Sequence, residues 1–232
     1  MENIYRYFVQ PQIDMHTQTI MGYELLIKKW TPEGWRLPES FVDIDVGIVS
    51  KLLVASTRIL GLKVQYCSVN VNREQLLDTQ MTDAIIQSQM QLFPTKLVVE
   101  LTEDKGPKEY PDSRLIPQLR RFMEHGMQIS LDDVDTGVNN FDHVKNLLPL
   151  ASELKFALQN FRSNIEDPNL REKLMKWKHL ADRFGQRLVL EGIEDNQDDL
   201  MSDSLGINFR QGYYYGKPEL LPLPGDTTLL SA

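Results

Sequence analysis

The sequence predicts a single α/β domain folded as a (β/α) barrel, and three observations lead to this prediction. A helical stretch that ends at a glycine, followed by a short apolar run that closes on a polar residue, recurs four times. Strands that alternate with helices in this way favour parallel pairing through right-handed crossovers. Neither of the glycine-rich phosphate turns GxGxxG and GxxxxGKS/T occurs in the 232 residues, which disfavours an open nucleotide-binding sheet. No proline- or glycine-rich linker divides the chain, so one domain is expected.

The recurring unit gives the order of the elements. Glycine is favoured just past a helix because it adopts the left-handed conformation without strain. The apolar run after each glycine has the length of a strand buried on both faces. The four units are helix 45–60, Gly61, strand 64–69 and Asn70; helix 113–125, Gly126, strand 127–131 and Asp132; helix 168–184, Gly185, strand 187–190 and Glu191; and a last helix, Gly206, strand 207–210 and Gln211.

Helix 168–184 shows the pattern most clearly. Asp167 and Pro168 suit the N-cap and the first helical position. Two further apolar runs, Lys96–Glu100 and Glu153–Phe156, predict two more strands. Residues 219–232 are expected to form a loosely packed C-terminal tail. Apolar residues at spacings of three and four define one face of this helix, namely Leu170, Leu174, Trp177, Ala181 and Phe184.

Composition and charge exclude several classes of protein. The chain carries 33 acidic and 25 basic residues, a net charge of −8, so the basic face of a binder of duplex DNA or RNA is not expected. Cys67 is the single cysteine, which rules out an internal disulfide and favours a reducing compartment. No apolar run of about 18 residues predicts a membrane span, and the first residues lack the features of a signal peptide. We therefore expect a cytoplasmic protein without membrane association.

Polar residues close most of the predicted strands. In a (β/α) barrel the carboxyl ends of the strands meet at one rim, so these side chains should converge. Crowded carboxylates repel one another, and either they are protonated or dispersed, or divalent cations lie among them. Oxygen donors of this kind suit Mg²⁺ or Mn²⁺, and the four histidines are scattered. The residues at the strand ends are Glu24, Asn70, Glu100, Asp132, Asp133, Lys155, Glu191 and Gln211.

The same positions resemble the motifs of the EAL-domain family, the phosphodiesterases of bacterial cyclic di-GMP signalling. The resemblance extends from about residue 6 to residue 218 and implies a stand-alone domain with a TIM-like barrel modified at its first strands. The signature motif reads Glu-Leu-Leu here in place of Glu-Ala-Leu. The matching segments are Gln10-Pro11, Gly22–Lys28, Ser68–Asn70, Glu100–Glu103, Leu131–Gly137, Leu154-Lys155, Glu191–Glu194 and Gln211–Tyr213 with Pro218.

The resemblance implies a role for each matching residue. Glu24, Asn70, Glu100 and Asp132 would bind one Mg²⁺ or Mn²⁺ ion, and Asp132 with Asp133 would bind a second. Glu191 would act as the general base or hold a metal-bound water, and Lys155 would orient that water and offset phosphate charge. Gln10, Lys28 and Gln211 would contact the substrate or its water network, and Glu103 would stabilise the loop after Asp133. The implied reaction is hydrolysis of cyclic di-GMP to linear pGpG.

Three departures from the family pattern predict reduced activity. Ala157 replaces an aspartate that helps to bind the second metal ion, and Mg²⁺ sites depend on few carboxylates. Lys28 replaces an arginine that contacts a substrate phosphate, so the charge remains but the bidentate fork is lost. Asp135 replaces a glycine in the loop after the two aspartates and adds negative charge there. These departures leave two alternatives open, a catalytically weak or inactive receptor for cyclic di-GMP and a protein-binding regulator. A homodimer and a regulatory protein partner are also expected from the family.

Overall fold

The computed structural model describes residues 4–92, 94–104, 108–161, 165–224 and 226, and these form a closed barrel with helices around it. The strands are β1 (Tyr5–Asp14), β2 (Thr19–Thr31), β3 (Gly34–Arg36), β4 (Tyr66–Val71), β5 (Lys96–Leu101), β6 (Gln128–Leu131), β7 (Glu153–Ala157), β8 (Arg187–Glu191), β9 (Phe209–Gln211) and β10 (Glu219–Leu220). The helices are α1 (Val46–Leu60), α2 (Arg73–Leu77), α3 (Thr79–Met90), α4 (Asp112–Glu124), α5 (Phe141–Val144), α6 (Pro168–Phe184) and α7 (Asn196–Ser204). Short 3₁₀ turns cover Leu148–Leu150 and Leu158–Asn160.

Eight strands close the barrel in the order β1, β2, β4, β5, β6, β7, β8, β9 and back to β1. Pairing from β2 to β9 is parallel throughout, as the alternation of strands and helices predicts. Strand β1 instead runs antiparallel to both β2 and β9, because a tight turn at residues 15–18 joins it to β2. The structure is thus a single-domain, TIM-like barrel modified at its first strands, which confirms the predicted fold class.

Helix α6 matches its predicted bounds. Asp167 Oδ1 accepts a hydrogen bond from the Asn169 amide at the N-terminus, and Gly185 ends the helix at φ +67°. Four of the five residues assigned to the apolar face are buried. Phe184 is the exception, with 39% of its surface exposed, because it lies at the last residue of the helix. No helix in the described part of the chain is long and apolar enough to cross a bilayer.

Gly61 ends α1 for a different reason from the one predicted. Its φ is −63°, so the left-handed conformation is not used there. A Cβ at this position would collide with the Thr95 side chain and the carbonyl oxygen of Thr57. Close packing of the chain, and not backbone freedom, therefore requires glycine here, whereas Gly126 and Gly206 do have positive φ.

The C-terminal residues are more ordered than predicted. Strand β10 pairs antiparallel with β1 through Phe8 and Val9. Asp226 is 6% exposed and its Oδ1 lies 2.5 Å from the guanidinium of Arg6. The prediction of a loosely packed tail is therefore wrong for residues 219–221 and 226, and residues 227–232 lie outside the described ranges. An ion pair and a free sheet edge on β1, neither visible in the sequence pattern, hold this segment.

The first three strands extend beyond the barrel rim. Strand β2 pairs with β4 only as far as Leu25, then continues to Thr31 with β1 on one side and β3 on the other. We call this part of β1, β2 and β3 (residues 5–9, 26–31 and 34–36) the ribbon. Because β2 runs toward the carboxyl-end rim, the ribbon stands beside that rim as an additional wall.

Candidate functional site

The carboxyl-end rim of the barrel brings the predicted strand-end residues together. The register places Asn70 beside Glu100, and Ala157 beside Glu191. Parallel strands that end at one level deliver their last side chains to one mouth. Six of the gathered side chains are almost fully buried, namely Glu24, Glu100, Asp132, Lys155, Glu191 and Gln211.

Lys155 occupies the centre of this mouth and is 1% exposed. A buried ammonium group is costly unless anions surround it, and here four carboxylates do. Burial alone would lower the pKa of Lys155, but the four carboxylates, Asp132 foremost, raise it well above its usual range. The lysine is therefore charged. Its Nζ lies 2.7 Å from Glu191 Oε1, 2.8 Å from Glu100 Oε2, 3.1 Å from Asp132 Oδ1 and 3.4 Å from Glu24 Oε2.

Glu24 is the best hydrogen-bonded of the four carboxylates. Its Oε1 accepts from Asn70 Nδ2 at 2.8 Å, and its Oε2 accepts from Gln211 Nε2 at 2.6 Å. Burial would raise the pKa of Glu24, but Lys155 and these two amide donors together lower it. Glu24 is consequently an anion at neutral pH in this arrangement.

The other three carboxylates have raised pKa values. Burial, helped by the charge of Glu24, raises the pKa of Glu100 well above its usual range. Burial also raises the pKa of Glu191, although Lys155 opposes the effect. The pKa of Asp132 rises to about 7, chiefly through burial. A further cation at the mouth would favour the ionised forms of these crowded carboxylates, which one lysine does not fully offset.

Several buried oxygen atoms of the mouth have no hydrogen-bond partner. They include Asn70 Oδ1, Glu100 Oε1 and Asp133 Oδ1. Buried polar atoms in folded proteins are nearly always paired, so several unpaired oxygens at the ends of neighbouring strands call for a ligand. Carboxylate and amide oxygens are the donors that Mg²⁺ and Mn²⁺ take, so the residues present fit such an ion.

A second group of carboxylates lies beside the first. Oxygen atoms of Glu103, Asp132 and Asp133 lie within 4.8 Å of one another. The three residues also line a cavity of about 260 Å³ with Asn70. Burial, followed by the charge of Asp133, raises the pKa of Glu103. Asp132 thus belongs to both groups, as the motif comparison implies for a bridging ligand, whereas Ala157 is buried and offers no oxygen.

The loop that presents Asp132 and Asp133 has an unusual backbone. Asp133 and Asp135 have φ values of +47° and +72°, a conformation that residues other than glycine rarely adopt. The carbonyl oxygen of Glu103 accepts the Val138 amide at 3.1 Å, so Glu103 contacts this loop through its backbone. Lys173 Nζ lies 2.6 Å from Asp135 Oδ2 and offsets the charge that Asp135 adds.

Two buried residues that the sequence analysis missed support the same loop. Asn139 Nδ2 donates to the carbonyl oxygens of Leu101 and Asp132, at 2.8 and 2.5 Å. The guanidinium of Arg73 donates to Asn139 Oδ1 at 2.7 Å and to the Thr102 carbonyl at 2.6 Å. Both residues are at least nine-tenths buried. Neither stands in an apolar run or at a strand end, so no sequence signal pointed to them.

The three residues predicted to contact substrate fall into two places. Gln10 and Gln211 lie inside the mouth, where Gln211 Nε2 donates to Gln10 Oε1 at 3.2 Å. Both line a cavity of about 600 Å³ with Lys155 and Glu191. Lys28 lies apart on the ribbon, where its Nζ is 4.1 Å from the ring centroid of Phe8. The structure therefore does not bring Lys28 into the carboxylate cluster.

The fold and the mouth define a class of protein, a mixed β/α barrel whose rim combines carboxylates, an asparagine and a buried lysine. The sequence model of the EAL domain matches residues 3–218. The chain belongs to the EAL domain family.

Named relatives resemble the chain over most of its length. The probable cyclic di-GMP phosphodiesterase PdeB of Escherichia coli K12 is 23% identical over 224 residues, which cover 90% of this chain and 41% of the relative. The cyclic di-GMP phosphodiesterase PdeR of the same strain is 26% identical over 225 residues, which cover 90% of this chain and 33% of the relative. The chain thus spans less than half the length of these relatives.

A solved structure of the PaMucR phosphodiesterase in complex with cyclic di-GMP has the same fold. Its TM-score is 0.77 at 22% sequence identity, and the match covers 93% of this chain and 97% of that one. At this level of identity the comparison establishes the barrel fold, and the chemistry must be inferred from the residues of the mouth.

Proposed function

We propose that this chain is a metal-dependent phosphodiesterase that hydrolyses cyclic di-GMP to linear pGpG. The observation that carries the proposal is the buried ammonium of Lys155 among four carboxylates, beside oxygen atoms that lack partners. A site that only holds a protein partner has no need of so much like charge in one place. The names of PdeB and PdeR point to the same substrate.

Two sets of residues would hold the ions. Unpaired oxygens support Asn70 and Glu100 as ligands of a first Mg²⁺ or Mn²⁺ ion, with Glu24 and Asp132 beside them. Asp132 and Asp133 would hold a second ion. Their distance to Glu103 adds that carboxylate as a candidate for the oxygen missing at position 157, beyond the loop-stabilising role that its family position predicts. Bound ions would polarise the scissile phosphate and make water more acidic.

The residues of this chain then have distinct tasks. Glu191 would accept the proton of the attacking water, since it lines the mouth beside Lys155, and burial raises its pKa and so makes its carboxylate a stronger base. Lys155 would hold Glu191 in place at 2.7 Å and offset charge that develops on the phosphoryl oxygens. Gln211 and Gln10 would keep Glu24 oriented and hydrogen-bond to water at the wall of the mouth.

A second function, binding of cyclic di-GMP without efficient hydrolysis, is favoured by one observation. Ala157 provides no ligand where the family has an aspartate, so the second ion would bind weakly. A receptor of this kind would keep the first ion and the nucleotide. We retain it as the alternative to the enzyme.

The decisive experiment is chromatographic detection of pGpG after incubation of the protein with cyclic di-GMP and Mn²⁺. Product should form with the unchanged chain and disappear with Glu24→Ala and with Glu191→Gln. Binding of cyclic di-GMP by calorimetry with no product in any sample would support the receptor. Absence of both binding and product would refute the proposed function.

Four expectations about the oligomeric state, ligands, location and partners belong to the same proposal. Family resemblance supports a homodimer, which light scattering on the purified chain tests directly. The net charge of −8 supports the expectation that duplex DNA and RNA are not ligands. A cytoplasmic location and a regulatory protein partner remain part of the proposal, and fractionation with affinity capture from the source cells would test them.

A further inference from the structure

The ribbon presents a continuous face toward the mouth. Paired residues of neighbouring strands lie on the same face of a sheet, and side chains alternate along each strand. Phe8 pairs with Leu26, and Trp30 pairs with Trp35. Leu26 also lines the 600 Å³ cavity with Glu24 and Gln10. The face that contains Lys28, Trp30 and Trp35 therefore continues the cavity wall away from the carboxylates.

Aromatic rings cover this face. The ring centroids of Phe8 and Trp35 lie 5.8 Å apart and those of Trp30 and Trp35 lie 5.2 Å apart, both in edge-to-face geometry. All three rings are partly exposed. The rings are thus held in place by one another while part of their surface stays open to a ligand.

The ribbon is also a positive region on an acidic protein. None of the ion pairs among the described residues involves Lys28 or Arg36. Arg36 lies close enough to Lys28 for its charge to act on the lysine. Burial, and then the charge of Arg36, lower the pKa of Lys28. Strand alternation places the charge of Lys28 on the same face as Trp30 and Trp35. A planar aromatic group with phosphate attached matches both features of the face.

We propose that the ribbon binds the half of the cyclic dinucleotide that is not hydrolysed, with Trp35 stacked on its purine base. This inference rests on the proposed function. A cyclic dinucleotide has two bases and two phosphates, and only one phosphodiester can lie at Lys155. The second half must lie elsewhere, and the ribbon continues the same cavity wall with a stacking ring and a cation at Lys28. Trp35 is then a substrate-binding residue outside the catalytic cluster.

The test compares three variants of Trp35 by calorimetric titration with cyclic di-GMP and Mn²⁺. All are made in a Glu191→Gln background, so that the ligand stays intact. Trp35→Ala should weaken binding by about 5- to 150-fold, the usual range for one lost base stack. Trp35→Phe keeps a π face and should bind within about threefold of the parent, whereas Trp35→Leu keeps only apolar volume and should resemble Trp35→Ala.

The matched control is Phe184→Ala, which removes another partly exposed aromatic ring at the opposite end of the barrel. It should leave the affinity unchanged. A second measurement uses tryptophan fluorescence, since stacked guanine quenches a tryptophan. Because Trp30 lies on the same face, this measurement is made in a Trp30→Phe background, where Trp35 is the one remaining tryptophan outside the core, since Trp177 is fully buried. Quenching should then be lost in Trp35→Phe even where binding is kept.

The outcomes separate this inference from the proposed function. If the parent binds cyclic di-GMP and Trp35→Ala binds it equally, the stacking role is wrong while the phosphodiesterase proposal stands. Equal affinity of Trp35→Leu and Trp35→Phe would also overturn stacking, because packing alone would then explain the ring. If the parent binds no cyclic dinucleotide, both proposals fail.

Discussion

Replacement of Lys155 by methionine is the sharpest test of the electrostatics of the mouth. The change keeps the length and apolar stem of the side chain and removes the charge from among four carboxylates. At an effective dielectric constant near 20, contacts of 2.7 to 3.4 Å correspond to about 5–6 kcal/mol each. The desolvation of the lysine and proton uptake by the carboxylates offset most of this sum. We therefore expect a loss of about 3–5 kcal/mol in the free energy of unfolding, as for other buried pairs that lose one partner.

The assay is urea unfolding at pH 7.5, with EDTA and then with saturating Mn²⁺. The loss in the free energy of unfolding should be largest in EDTA. Mn²⁺ should make the loss smaller, because a bound dication replaces the missing charge of Lys155. Lys173→Met is the control, since it removes a half-exposed lysine with one carboxylate partner and should cost less than about 1 kcal/mol. An equal loss with and without Mn²⁺ would refute the reasoning, because Lys155 would then act only through packing.

Four further predictions concern the ions and the loop. Ala157→Asp should increase the number of Mn²⁺ ions bound, measured by electron paramagnetic resonance, and raise hydrolysis at low Mn²⁺; unchanged stoichiometry would contradict this. Mn²⁺ affinity by calorimetry should rise from pH 6 to pH 8 as Asp132 releases its proton near pH 7. Because folding raises the pKa of Asp132, the metal-free protein should lose stability as pH rises from about 4 to 7. A free energy of unfolding that rises over this pH range would contradict the prediction. Arg73→Met should lower the free energy of unfolding by about 2–4 kcal/mol, because it leaves buried carbonyl groups and Asn139 unpaired. An unchanged midpoint in urea would show that Arg73 does not stabilise the loop.

The positions of the site residues could be predicted from the sequence because barrel geometry converts a linear pattern into a spatial one. A short apolar run that closes on a polar residue places that residue at the rim, and this argument located Asn70, Glu100, Asp132 and Glu191. The roles of these residues stay predictions until ions and substrate are measured. The direction of β1 was not evident from alternation alone, since a tight turn after Asp14 reverses it.

Other features depend on contacts that leave no periodic signal. Arg73 is buried because carbonyl oxygens distant in sequence surround it, and hydropathy gives a charged residue no reason to be inside. Strand β10 exists because β1 has a free edge above the rim, and Asp226 meets Arg6 across 220 residues. Trp30 and Trp35 carry no periodic signal of a ligand site, and the pairing of β2 with β3 is what brings their rings to 5.2 Å of each other.

The two candidate ion sites differ in the elements that carry their ligands, since one lies mostly on strands and the other depends on a loop. This difference determines how the departures from the family pattern affect each site. The first set lies mostly on β2, β4 and β5, whose hydrogen-bonded register fixes Glu24, Asn70 and Glu100. The second set depends on Asp133, which stands on a loop with positive φ that Asn139 holds from the side. In the proposed assignment, the missing carboxylate at position 157 would affect only the second set. We therefore expect that the chain, with Ala157, binds nucleotide in the presence of metal but turns it over slowly. The reason is that the second ion would depend on the loop as well as on the strands.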